Sequence, residues 1–131
     1  MSEKKKVLII DDDVQLVDSV QTMLESQGYE VSYAYQALKG VELARETQPD
    51  VILLDVMFAG PPGPDGFQVA REMHDDPKLK DIPIIMLTGV RKVMDIPYEL
   101  KPDEQWMPVK SFLEKPIKPG DLLNAIKNAL G

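Results

Sequence analysis

The sequence is expected to form an α/β protein built on one doubly wound, five-stranded parallel sheet with helices on both faces. Three observations carry this expectation. Short apolar runs recur at residues 7–10 (Val-Leu-Ile-Ile), 51–54 (Val-Ile-Leu-Leu) and 84–87 (Ile-Ile-Met-Leu). Such continuous runs mark strands buried on both faces of a parallel sheet. Amphipathic helical stripes alternate with them, and acids or a hydroxyl follow each run.

Residues 7–10 form the first strand. Leu16, Val17, Val20, Met23 and Leu24 then recur at helical spacing, and Gly28 closes that helix. Residues 29–35, with Val31 and Tyr33, read as the second strand. Leu38, Val41 and Ala44 give a second helix that ends before Pro49. The third strand is 51–54, the third helix 66–74 and the fourth strand 84–87. Residues 111–113 form a short last strand, and Leu122, Leu123, Ile126, Ala129 and Leu130 line one face of a final helix.

Two stretches break this rhythm. Residues 59–66 hold three prolines and three glycines and read as a loop. Between 90 and 108, Pro97, Pro102 and Pro108 interrupt the expected fourth helix. Each costs about 3 kcal/mol inside a helix, so a helix there should be shortened, irregular or absent.

A chain of 131 residues fits a single domain, 1–131, with a core from about 5 to 130. Its 44% hydrophobic and 28% charged residues are those of a globular protein. The lack of cysteine excludes disulfides and thiolate metal sites and fits a reducing compartment, so the cytoplasm is the expected location. The first apolar run is too short for a signal peptide or membrane insertion. A net charge of -7 argues against direct nucleic-acid binding and against attachment to anionic lipid.

In open α/β sheets the functional crevice lies beyond the carboxyl ends of the strands. Asp11, Asp12 and Asp13 stand at the first such end, Asp55 at the third, Thr88 at the fourth, and Glu114, Lys115 and Pro116 at the last. Two carboxylates about 4 Å apart repel by roughly 4 kcal/mol at an effective dielectric of 20, so gathering Asp11, Asp12 and Asp55 calls for a compensating cation. Oxygen donors without cysteine or a histidine cluster favour Mg²⁺, with Mn²⁺ as a substitute. A metal and Lys115 could neutralise phosphoryl oxygens while Asp55 attacks phosphorus, Lys115 pairing first with the Asp55 carboxylate and then with a phosphoryl oxygen, and Thr88 could donate to the new phosphoryl group. Asp13 reads mainly as a helix cap. His74, the only histidine, reads as a surface residue, which makes the chain an acceptor of phosphoryl groups and not a histidine donor. Trp106 and the methionines read as fillers of the core or of an irregular loop.

The segments Val7-Leu-Ile-Ile-Asp-Asp-Asp13, Leu53-Leu-Asp-Val-Met57, Pro64-Asp-Gly66, Leu87-Thr-Gly89 and Phe112-Leu-Glu-Lys-Pro116, in this order, resemble the response-regulator receiver family of two-component signal transduction. The resemblance runs from about Lys5 to the C-terminus. It implies a flavodoxin-like strand order 2-1-3-4-5 and a phosphoprotein carrying an aspartyl phosphate at Asp55. It implies Asp12 and Asp55 as direct Mg²⁺ ligands, Asp11 acting largely through water, and the Met57 main-chain carbonyl as the remaining protein ligand. Thr88 is then the switch hydroxyl and Lys115 the lysine before a cis proline. Phe112 matches the switch aromatic, although a core role fits it equally.

The implied partners are a sensor histidine kinase or histidine phosphotransfer protein and an unnamed downstream protein. The chain would be a signalling phosphoacceptor and not a turnover enzyme, although it assists its own phosphotransfer and dephosphorylation. The loops after Asp55 and after Thr88 run longer than the family pattern. Three alternatives fit less well: a pseudo-receiver acting as a constitutive interaction module, a haloacid-dehalogenase-type phosphatase, and a flavin-binding protein. The phosphatase wants an acid where Met57 stands, and the three aspartates would repel a flavin phosphate.

Overall fold

In the computed structural model, residues 4–56, 66–88 and 110–131 are described. Five strands form one sheet: β1 (Lys6–Ile10), β2 (Glu30–Ala34), β3 (Val51–Asp55), β4 (Ile84–Thr88) and β5 (Ser111–Glu114). Among the described residues four helices accompany them: α1 (Val14–Ser26), α2 (Ala37–Thr47), α3 (Gly66–His74) and α4 (Pro119–Leu130). All four strand pairings are parallel, in the order β2-β1-β3-β4-β5. The α/β class and the strand order therefore match the expectation from sequence. The 90–108 stretch, where an irregular helix was expected, and the loop at 59–65 lie outside the described residues.

The apolar runs become the three central strands because their side chains are covered on both faces. Leu8, Ile10, Ile52, Leu54 and Met86 face one layer, with Ala37, Val41 and Ala44 of α2 and Val69, Ala70 and Met73 of α3. Val7, Ile9, Val51, Leu53, Ile85 and Leu87 face the other, with Val17, Val20 and Leu24 of α1 and Leu122 and Ile126 of α4. Burying one such side chain stabilises the fold by roughly 1.5–3 kcal/mol, so these two layers dominate the energetics. The edge strands β2 and β5 are only partly covered, which is why their apolar signal is weaker in the sequence.

Local chemistry sets the element ends. Asp13 caps α1, its Oδ1 accepting from the Leu16 N–H at 3.1 Å. The helix closes where Gly28 takes a φ of 91°, which costs glycine little. The chain then enters β2, with the Tyr29 N–H donating to the Leu24 carbonyl at 3.1 Å. α2 ends at Gln48, in the left-handed region, just before Pro49. Pro119 opens α4, where a missing N–H carries no penalty. Arg45 on α2 also pairs with Asp76 after α3 at 2.7 Å.

α1 lies on one face and α2 and α3 on the other, so the connections diverge between β1 and β3. That divergence places the crevice above the carboxyl ends of β1 and β3, next to Asp11, Asp12 and Asp55.

Candidate functional site

Asp11 directly follows β1 and is fully buried. Its main-chain N–H donates to the Ala34 carbonyl at 3.1 Å, which ties the β1 exit to β2. Its Oδ1 accepts from the Asp13 N–H at 2.9 Å, so one oxygen braces the turn into α1. The other oxygen, Oδ2, lies 3.0 Å from the Lys115 ammonium but has no hydrogen-bond partner among the described residues. The contact is thus an ion pair without a directed hydrogen bond.

Asp55 closes β3 and is almost as buried, at 3% exposure. Its Oδ1 accepts from Lys115 Nζ at 2.9 Å. Lys115 is set by its backbone, since its N–H donates to the Thr88 carbonyl at 2.8 Å and so fastens the exit of β5 to the end of β4. The Lys115–Pro116 peptide is cis, as the resemblance implied. Thr88 is the last residue of β4 and is buried. It stands in register with Glu114, which belongs to β5 and not to the turn after it.

Asp11, Asp12 and Asp55 each bring a carboxylate oxygen within 4.8 Å of the others. Burial is the main force raising the Asp55 pKa to about 6, and the neighbouring Asp11 adds to it against the counteracting Lys115. Burial likewise raises the Asp11 pKa, although the Asp13 N–H and Lys115 oppose it. For Lys115, burial alone would lower the pKa, but Asp55 and Asp11 together outweigh it and hold the ammonium charged. Among the described residues, the Lys115 ammonium is the cation that pairs with Asp11 and Asp55, within a cluster of three carboxylates.

Three carboxylates offering hard oxygen donors within 4.8 Å of one another, two of them buried, fit a small divalent cation. His74 is exposed at the end of α3.

The fold thus brings Asp11, Asp12, Asp55 and Lys115 together and puts Thr88 on the adjoining strand end. Met57 and Trp106 lie outside the described residues. Phe112 is half-buried, registers beside Met86 and packs on the α2 and α3 layer. Asp13 caps α1, as expected.

The sequence had placed Gly66 in a proline-rich motif without assigning it a structural task. A Cβ there would overlap the main-chain carbonyl of Asp55, and the Gly66 N–H donates to the Val56 carbonyl at 2.6 Å. Only glycine lets α3 start directly against the backbone that carries Asp55.

This arrangement on this sheet is that of a receiver domain, and residues 7–127 match the family model described as the response regulator receiver domain. The chain belongs to that family and is a receiver domain of two-component response regulators. It is 42% identical over 90 residues to the DNA-binding dual master transcriptional regulator RpaA of Synechocystis sp. PCC 6803; the match takes in 69% of this chain and 36% of RpaA. The chain therefore spans about a third of that curated relative.

Among solved structures it is similar to the chemotaxis protein CheY4 of Vibrio cholerae, with 27% identity, 98% and 100% of the two chains covered and a TM-score of 0.78. The receiver domain of the sensor histidine kinase PA1611 from Pseudomonas aeruginosa PAO1 shares the fold at 24% identity, with 98% and 99% coverage and a TM-score of 0.81. That structure has a magnesium ion coordinated in its active-site cleft.

Proposed function

We propose that this chain accepts a phosphoryl group from a phosphohistidine donor onto Asp55, in a Mg²⁺-dependent reaction, and thereby switches its affinity for a partner. The observation that carries this reading is the convergence of Asp11, Asp12 and Asp55 within 4.8 Å, with Lys115 Nζ 2.9 Å from Asp55 Oδ1.

Asp12 and Asp55 would hold the cation directly and Asp11 largely through water, with the Met57 carbonyl as a further ligand. Once bound, Mg²⁺, or Mn²⁺ in its place, supplies positive charge to phosphoryl oxygens. An Asp55 carboxylate oxygen attacks phosphorus in line with the P–N bond of the donor. The new O–P bond forms as the P–N bond breaks, and the electron pair returns to the donor imidazole. Asp55 must be ionised to attack, and Lys115 holds the charged form in place. After transfer the Lys115 ammonium moves from the Asp55 carboxylate to a phosphoryl oxygen, and the Thr88 hydroxyl donates to another. Phe112, against the α2 and α3 layer, is the aromatic that would follow Thr88.

The donor is a sensor histidine kinase or histidine phosphotransfer protein, and residues 1–131 act as one receiver unit in the cytoplasm. No helix of the described residues is long and apolar enough to cross a membrane. The charge of -7 favours a protein over nucleic acid as the direct contact of this surface. Incubation with acetyl phosphate and Mg²⁺, followed by intact mass, tests the reading. The parent should gain one phosphoryl group and Asp55→Asn none; an equal gain in both would remove Asp55 as the acceptor.

A further inference from the structure

We infer that Gly40, inside α2, is a positioning residue for the acidic crevice: its missing side chain lets the helix close on Ile10, which holds Asp11 and Asp55 in place. The inference rests on the reading of the crevice as a Mg²⁺ site. Gly40 lies in the interior of α2, where glycine is the poorest helix former apart from proline. An alanine would favour the helix, so the glycine must answer to packing. A Cβ at Gly40 would fall 2.6 Å from Cδ1 and Cγ1 of Ile10 and 2.7 Å from its Cγ2. Ile10 is fully buried and β-branched, so it has no slack rotamer to adopt.

Ile10 immediately precedes Asp11 and stands in register with Leu54, which immediately precedes Asp55. Ile10 therefore stands one residue before Asp11 and, across the sheet, beside the residue before Asp55. Ordinary contact begins at 3.4 Å, so relieving a 2.6 Å approach requires a displacement of about 0.8 Å. Metal–ligand distances tolerate only about 0.2 Å. α2 packs through Ala37, Val41 and Ala44 in the same layer as Ile10, and Ile10, at the end of β1, is taken as the side that yields.

The test measures Mg²⁺ affinity by titration calorimetry and stability by urea unfolding, on the parent, Gly40→Ala and Val41→Ala. Val41 lies in the same layer but its truncation crowds nothing, so it reports general destabilisation. Gly40→Ala should bind Mg²⁺ about tenfold more weakly, the size of effect typical when support around metal ligands is disturbed. Val41→Ala should lose stability and keep its affinity.

Parent-like affinity in Gly40→Ala would show that the helix moves instead and would overturn the inference, as would an equal loss in Val41→Ala. If Gly40→Ala does not fold in buffer, all three proteins are compared in trimethylamine oxide, which favours burial. A parent that binds no Mg²⁺ would overturn the site reading and this inference with it.

Discussion

Ionising Asp55 in the metal-free protein should weaken the fold, and Asp55→Asn should relieve that cost. Asp55 is 3% exposed, and its pKa rises from 3.8 to about 6, mainly through burial. The folded state therefore holds a proton that the unfolded state has already lost. A raised folded pKa gives stability that is fully present below the unfolded value and lost as pH rises through the folded one. For Asp55 the window runs from about pH 4 to about pH 6, and a shift of roughly two units corresponds to about 3 kcal/mol. Asp11, also raised, contributes with the same sign.

Urea unfolding followed by circular dichroism, in chelator, should show the parent losing stability across the window. Asp55→Asn should keep the part of the slope that comes from the other shifted carboxylates, Asp11 and Asp76. The advantage of the variant over the parent should then grow by about 3 kcal/mol from below to above the window. Added Mg²⁺ favours the ionised carboxylates and should flatten or reverse the slope of the parent. If the metal-free parent and Asp55→Asn kept a constant difference across the window, the electrostatic account of the crevice would be wrong.

Four further outcomes are expected. Lys115→Met removes an ammonium 2.9 Å from Asp55 and 3.0 Å from Asp11, so calorimetry should show tighter Mg²⁺ binding; weaker binding would make the lysine a support of the cation and not its competitor. Gly66→Ala drives a methyl group into the Asp55 carbonyl and should cost about 1–3 kcal/mol in urea unfolding; an unchanged midpoint would contradict that close approach. Asp13→Ala should cost about 1 kcal/mol through its lost cap and leave Mg²⁺ affinity unchanged, whereas a large loss of affinity would bring Asp13 into the site. The positions two residues after Asp55 and two after Thr88 are Met57 and Val90, whose side chains carry no polar group with which to orient a water, so the aspartyl phosphate proposed at Asp55 should persist in Mg²⁺ buffer; loss of the label within seconds would refute this.

How far the sequence discloses this protein depends on whether a property is local. The central strands were legible because 7–10, 51–54 and 84–87 meet apolar layers on both faces and need apolar side chains throughout. The capping role of Asp13 was legible because a cap acts within three residues. Glu114 read as a residue after the last strand, yet it closes β5, because a ladder ends where backbone pairing ends and not where hydrophobicity does. The positions flagged from sequence were side chains at strand ends, and the pairing of Lys115 with Asp55 was expected; its second contact, with Asp11, was not, because spacing along the chain does not show which carboxylates one ammonium can reach at once.

Glycines were the least legible, because a glycine kept for close approach has no side chain to betray its partner. Gly66 against Asp55 and Gly40 against Ile10 are both tertiary facts. The one local trace was the cost itself, a poor helix former inside α2 where alanine would serve better. Gly40, in a helix that packs on Ile10 at the end of β1, raises the question of support behind the site, and Gly40→Ala measures whether that support reaches the carboxylates.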